Sequence, residues 1–247
     1  MNITNPPKAL ILLVALLCIT VLLAVNKISQ EAGLPMISAI VFYEIGNGVA
    51  AKVAQIPLRY LGLKMTEYPV TPIVMPSDLT GQMNGLVDAK LLKNIDTPTQ
   101  GKMHHKAATA FRCLALAAYF DGVSLDHVGA YRTLSQQLTL FKQRYSLTPQ
   151  GRNITRKMNG QTYYLRDGFA PSSTPGLSNH GWGLAVDISD CSGDRLRWLL
   201  QWAGKFGFTW EVKNGPQAEA WHIRYVAGDS GTRGIRNAIA AFPELCA

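Results

Sequence analysis

Two short segments hold most of the residues able to do chemistry: Ser178-Asn179-His180-Gly181-Trp182-Gly183-Leu184-Ala185-Val186-Asp187 and Glu219-Ala220-Trp221-His222. His180, Asp187 and His222 offer two imidazoles and a carboxylate. Those are the ligand types of a catalytic zinc, which takes three protein ligands and leaves the fourth position to a water of pKa about 7. Glu219 stands three residues before His222. In an extended or turning segment its carboxylate reaches the water rather than the metal, and it can take the proton and return it to a departing amine. Arg132 is a further candidate. A fixed guanidinium can stabilise the oxyanion of a tetrahedral transition state, or grip a substrate carboxylate through two parallel hydrogen bonds.

These side chains need elements to hold them. Gly181 and Gly183 allow a tight loop, and Leu184 to Ile188 reads as a short buried strand. An Asp in that run is costly to bury unless it is paired or metal-bound. A helix is expected over 103–120, with Ala107, Ala108, Phe111, Leu114, Ala115 and Ala118 at helical spacing, stopped by Asp121-Gly122. The adjacent pair His104-His105 is read as the opening of that helix, without a metal role, because neighbouring helical residues point apart. A second helix is expected from about Thr133 to Tyr145. A strand over Thr162 to Leu165 follows an Asn159-Gly160 turn, a third helix covers Asp194 to Phe206, and Phe208 to Val212 alternates as a strand. Helices beside a short, mainly antiparallel sheet make an α+β domain.

The pattern Ser178-x-His180-x-x-Gly183-x-Ala185-x-Asp187 with Glu219-x-Trp221-His222 resembles the signature of the VanY-type D-alanyl-D-alanine carboxypeptidase family. Gly129-Ala130-Tyr131-Arg132-Thr133 with Gln137, Asn84-Gly85, the Ala-rich helix around Phe111 and Thr174-Pro175-Gly176 extend the resemblance over about residues 76–245. It implies a hedgehog/D-Ala-D-Ala peptidase-like fold and one Zn2+ ion held by His180, Asp187 and His222. It also implies Glu219 as the base and Arg132 on the substrate and oxyanion, with Ser178, Gln137 and Trp221 as further substrate contacts. The substrate would be a peptidoglycan stem peptide. Ala220 and Thr133 depart from the commoner Pro and Ser, and neither change removes a ligand or a charge.

Other chemistries find no support. Ser-x-x-Lys, Lys-Thr-Gly, His-Glu-x-x-His, a Gly-x-Ser-x-Gly elbow and a P-loop are all missing. Three readings remain: a D-Ala-D-Ala carboxypeptidase, which is favoured; an L-Ala-D-Glu-type endopeptidase of the same fold; and a non-catalytic wall-binding protein. The presence of Glu219 speaks against the last.

The net charge is +8, and from Pro76 onward 19 Lys and Arg face 13 Asp and Glu. With no aromatic-basic module for nucleic acid, cell-wall polyanions are the expected attraction. Ala9 to Val25 is an uncharged run of 17 residues, chiefly Leu, Ile, Val and Ala, between Lys8 and Lys27. At 1.5 Å per residue it covers ~25 Å, enough for a short membrane span. The expectation is an uncleaved N-terminal transmembrane anchor over residues 1–27, a juxtamembrane and linker region over 28–75, and a catalytic domain over 76–247 facing outward. Secretion after signal cleavage is the alternative. Of four cysteines, Cys18 lies in the apolar run, Cys113 is expected to be buried and inert, and Cys191 with Cys246 is the expected pair.

Overall fold

The computed structural model describes residues 72–95, 99–210 and 219–246. The expected membrane anchor and nearly all of the 28–75 region lie outside them. Among the described residues no helix is long and apolar enough to cross a membrane.

The centre of the molecule is helix α1, His105–Phe120, packed against an antiparallel four-stranded sheet. Ala107, Ala108, Ala110, Phe111, Cys113, Leu114, Ala117 and Ala118 of α1 are all buried. The small alanines let neighbouring elements approach closely, and Phe111 meets Phe208 edge to face at 6.1 Å. The chain leaves α1 at Gly122, whose φ of 75° is the left-handed conformation that the Asp-Gly pair announces.

The four-stranded sheet has the order β3 (His127–Gly129), β7 (Ala185–Ile188), β9 (His222–Tyr225), β8 (Phe208–Thr209). Its central pairing sets Val186 opposite Ile223 and Asp187 opposite His222. Val186 and Ile223 are fully buried, so the alternation of the pleat turns Asp187 and His222 to the other face.

Two smaller antiparallel sheets complete the architecture. One joins β1 (Leu92–Asn94) to β2 (Lys102–His104). The other has the order β4 (Tyr145–Ser146), β6 (Gln161–Leu165), β5 (Thr155–Met158). The β5–β6 hairpin turns at Asn159 and Gly160, with φ of 51° and 76°. Two positive φ angles are what the Asn-Gly dipeptide supplies to a hairpin. Helix α2, Leu134–Arg144, starts in a capping box between Thr133 and Gln136. It leads into a small second core of Phe141, Tyr145 and Leu165. Helix α3, Gly193–Trp202, is fastened to the end of α1 by Trp198 Nε1 donating to Asp121 Oδ2 at 2.8 Å. Helices α4, Arg233–Ala241, and α5, Pro243–Cys246, close the structure against α1.

The mixed helix and antiparallel-sheet class is as expected, but with corrections. Among the described residues there are three sheets instead of one. The helix expected from 103 begins at His105, because Lys102–His104 pairs as β2. The third helix is α to Trp202 and then tightens to a 3-10 turn over Ala203–Phe206. The cysteine partners also differ. Cys191 Sγ donates to Ala220 O at 3.2 Å, while the buried Cys113 and Cys246 thiols hydrogen-bond to each other across α1 and α5.

Candidate metal centre

The Ser178-to-Asp187 segment folds as a 3-10 turn, Asn179–Trp182, that runs into β7. Gly183 leaves the turn with φ of 68°, and a Cβ there would sit 2.6 Å from the backbone nitrogen of His104. A Cβ at Gly181 would sit 2.1 Å from Asn84 Oδ1. Only glycine fits either position. The turn is also tied from outside: Asn84 Nδ2 donates to Ser178 O at 2.7 Å, and Gly85 N–H donates to Gly181 O at 2.7 Å.

His180 is therefore buried and fixed. Its Nδ1 lies 2.8 Å from Ala130 O. A carbonyl only accepts, so Nδ1 carries a proton and Nε2 is the nitrogen left to face Asp187 and to ligate a metal. That Nε2 is 3.3 Å from Asp187 Oδ2, and His222 Nδ1 is 2.9 Å from Asp187 Oδ1. His180, Asp187 and His222 thus bring one ligand atom each within 4.8 Å of one another. An imidazole nitrogen facing a carboxylate is satisfied by a cation between them, either a proton or a metal ion. The donor set, the locked tautomer and the close approach all fit zinc. Burial raises the Asp187 pKa, but hydrogen bonds and charge from His180 and His222 outweigh it and hold the carboxyl well below the usual range. Asp187 is a ready anionic ligand.

Gly129, paired with Asp187 across β3 and β7, completes the cradle. A Cβ there would lie 3.0 Å from Asp187 Oδ2.

The structure brings Arg132 to this centre. Its N–H donates to His180 O at 3.1 Å. Its guanidinium Nη1 donates to Gln137 Oε1 at 2.7 Å, and Gln137 Nε2 donates to Ser173 O at 2.8 Å. Burial lowers the Arg132 pKa, the Asp187 charge opposes that, and the Arg144 charge adds to it. Gln137 is itself buried and grips Arg132. Ser178 is buried and accepts two bonds on its carbonyl, from Asn84 and Gly181. Glu219 is half-buried, and its carbonyl accepts from His222 N–H at 3.0 Å, closing the turn that leads into β9. Trp221 is 44% exposed beside it.

Two contributors escaped sequence reasoning: the Ala130 carbonyl, which selects the His180 tautomer, and Gly129, which leaves room for the carboxylate. Neither carries a reactive side chain. Only their place in the Gly129-to-Thr133 segment pointed toward them.

Three solved structures are similar to this chain. They are the LdcB LD-carboxypeptidase, at 23% identity and TM-score 0.42 over 62% of this chain and 73% of that one; VanYB in complex with D-alanine-D-alanine, at 21% and 0.41 over 70% and 93%; and a VanY mutant in complex with Zn(II), at 20% and 0.39 over 70% and 93%. YodJ of Bacillus subtilis (strain 168), a carboxypeptidase by provisional assignment, is 27% identical over 203 residues. That alignment takes in 75% of this chain and 66% of YodJ, so the chain spans just under two thirds of its relative's length. The sequence model of the VanY D-alanyl-D-alanine carboxypeptidase family matches residues 100–228, just over half of the chain and the part that carries every residue of the centre. The chain belongs to the VanY D-alanyl-D-alanine carboxypeptidase family.

Proposed function

We propose that this protein is a zinc-dependent peptidase that removes the terminal D-Ala from peptidoglycan stem peptides. The observation that carries this reading is the convergence of His180, Asp187 and His222 with the His180 tautomer fixed by Ala130. Membership of the family supports the choice of substrate. His180 Nε2, an Asp187 carboxylate oxygen and His222 Nδ1 would hold the metal, which when bound acts as a Lewis acid and makes water acidic enough to ionise near neutral pH.

The protein's own groups do the rest. Glu219 takes the proton from the attacking water and returns it to the amine as the C–N bond breaks. Arg132, held by Gln137, pairs with the substrate's terminal carboxylate or with the charge developing on the carbonyl oxygen. Ser178 and Trp221 line the substrate's path. The Ala9-to-Val25 run anchors the chain in the membrane with the catalytic domain outside, where peptidoglycan lies.

The test is mass spectrometry of a stem pentapeptide incubated with the purified, zinc-loaded protein. Release of free D-Ala is expected. Cleavage within the peptide and no free D-Ala would make the protein an endopeptidase instead, and an intact peptide would remove the peptidase reading.

A further inference from the structure

A second group of histidines and a carboxylate lies behind the zinc loop: Asp78, His104 and His105. Asp78 sits in the 3-10 turn Ser77–Leu79, in the segment that leads into the domain. Its Oδ1 is 2.9 Å from His104 Nε2, and its Oδ2 is 2.7 Å from His105 Nε2. Adjacent residues of a helix diverge, but His104 precedes the helix, with φ −52° and ψ 136°, and only His105 is inside it. That change of backbone direction lets the two rings converge, with centroids 4.5 Å apart.

The decisive feature is His104. It is completely buried, yet neither of its ring nitrogens makes a well-formed hydrogen bond, and neither does Asp78 Oδ1. Nε2 and Asp78 Oδ1 lie 2.9 Å apart as a close pair, and the other ring nitrogen, Nδ1, has no partner at all. Buried polar atoms without partners are costly, and each needs an explanation. The surroundings do not repel a cation on balance. Lys106 is 3.9 Å from Asp78 Oδ2, but it is ion-paired with Asp229, so two carboxylates face one ammonium.

We propose that Asp78, His104 and His105 form a second metal site, structural in role, that takes a divalent ion of the zinc class. Two imidazoles and one carboxylate select such an ion over calcium or magnesium, which prefer all-oxygen shells. His105 and Asp78 are partly exposed, which leaves room for water as a fourth ligand. The bound ion joins the leading segment to the junction of β2 and α1. That junction touches the zinc loop directly, because His104 N–H donates to Gly183 O at 2.8 Å. The segment is already laid there by the Val74 bridge to Ala227 and by Ser77 N–H donating to Asp229. The ion therefore fastens the chain that arrives from the N-terminal region to the back of the catalytic loop.

None of the catalytic ligands is used, so this site and the proposed activity stand or fall separately. The test is elemental analysis of metal per chain after the full-length protein is stripped with chelator and saturated with Zn2+. Two ions per chain are expected for the wild type, one for Asp78→Asn, one for His105→Ala and one for His222→Ala. The half-exposed His105 guards against a variant that fails to fold. In His222→Ala, added Zn2+ should still raise the melting temperature, and the rise should vanish when Asp78→Asn is combined with it. One ion in the wild type and none in His222→Ala would overturn the second site and leave the catalytic centre standing. Two ions retained in both Asp78→Asn and His105→Ala would overturn it as well.

Discussion

At the scale of single residues the centre divides its labour. His180, Asp187 and His222 face one point, whereas Glu219 is held nearby by the turn that closes on His222. Glu219→Ala should therefore leave the metal content of this centre unchanged and lower kcat by at least ~100-fold, the usual size of a general acid–base contribution. Full activity in that variant, with metal retained, would remove Glu219 from the proton transfer. Gln137 has a different role. Its Oε1 accepts from Arg132 and its Nε2 is committed to Ser173 O, so it positions the guanidinium. A hydrogen bond to a charged group contributes ~1.5–3 kcal/mol, so Gln137→Ala should lower kcat/KM by about tenfold or more while metal content is unchanged. Arg132→Ala should cost more, and in the Arg132→Ala background Gln137→Ala should add almost nothing. Independent, multiplying effects of the two substitutions would show that Gln137 acts in some other way.

At the scale of elements, the register of β7 against β9 is the decisive fact. A slip of one residue would turn Asp187 or His222 into the core and bring Val186 or Ile223 out. This register was only half legible in the sequence. The apolar run around Asp187 announced β7, but His222-Ile223-Arg224-Tyr225 follows a segment without strand periodicity, and β9 is a strand because β7 and β8 pair with it on both sides. The Asn159-Gly160 hairpin and the Asp121-Gly122 stop were readable because positive φ has few sequence solutions. The strands β1, β3 and β4 were not, since two or three residues give no period to detect. Helix α2 begins at Thr133, next to Arg132, and its capping box fixes where the guanidinium leaves the backbone. Thr133→Ala should destabilise the fold by ~1 kcal/mol in urea denaturation and lower activity along with it. An unchanged midpoint would mean that the box contributes nothing to folding.

At the scale of the whole molecule, the Ser178-to-Asp187 loop is enclosed on two sides by segments distant in sequence. Asn84 and Gly85 hold it from one side and the His104 backbone from another. The core around α1 lies beneath. The candidate metal ligands His180, Asp187 and His222, which the fold brings together, and the proposed base Glu219 stood out in the sequence because reactive side chains at fixed spacing are conspicuous. The Asp78–His104–His105 group was not, because His104 and His105 look divergent until the backbone before α1 is known. That group also sets a pH dependence for the metal-free protein. His104 titrates near 6.5 when unfolded and near 4 when folded. Between those values the unfolded chain binds a proton that the folded chain refuses. Stability should therefore fall as pH drops from about 6.5 toward about 4, and this group should add no slope above 6.5. Denaturation of chelated protein at pH 7 and pH 5 should show the loss, and His104→Gln should reduce it. Equal slopes in the two proteins would contradict the buried, neutral state of His104.

The most direct measurement is D-Ala release from stem pentapeptide by chelated protein before and after Zn2+ is restored, set beside His222→Ala treated in the same way. The account predicts no release from the chelated wild type, recovery on adding Zn2+, and no recovery in His222→Ala. Undiminished release from fully chelated protein, or wild-type release from zinc-loaded His222→Ala, would contradict it.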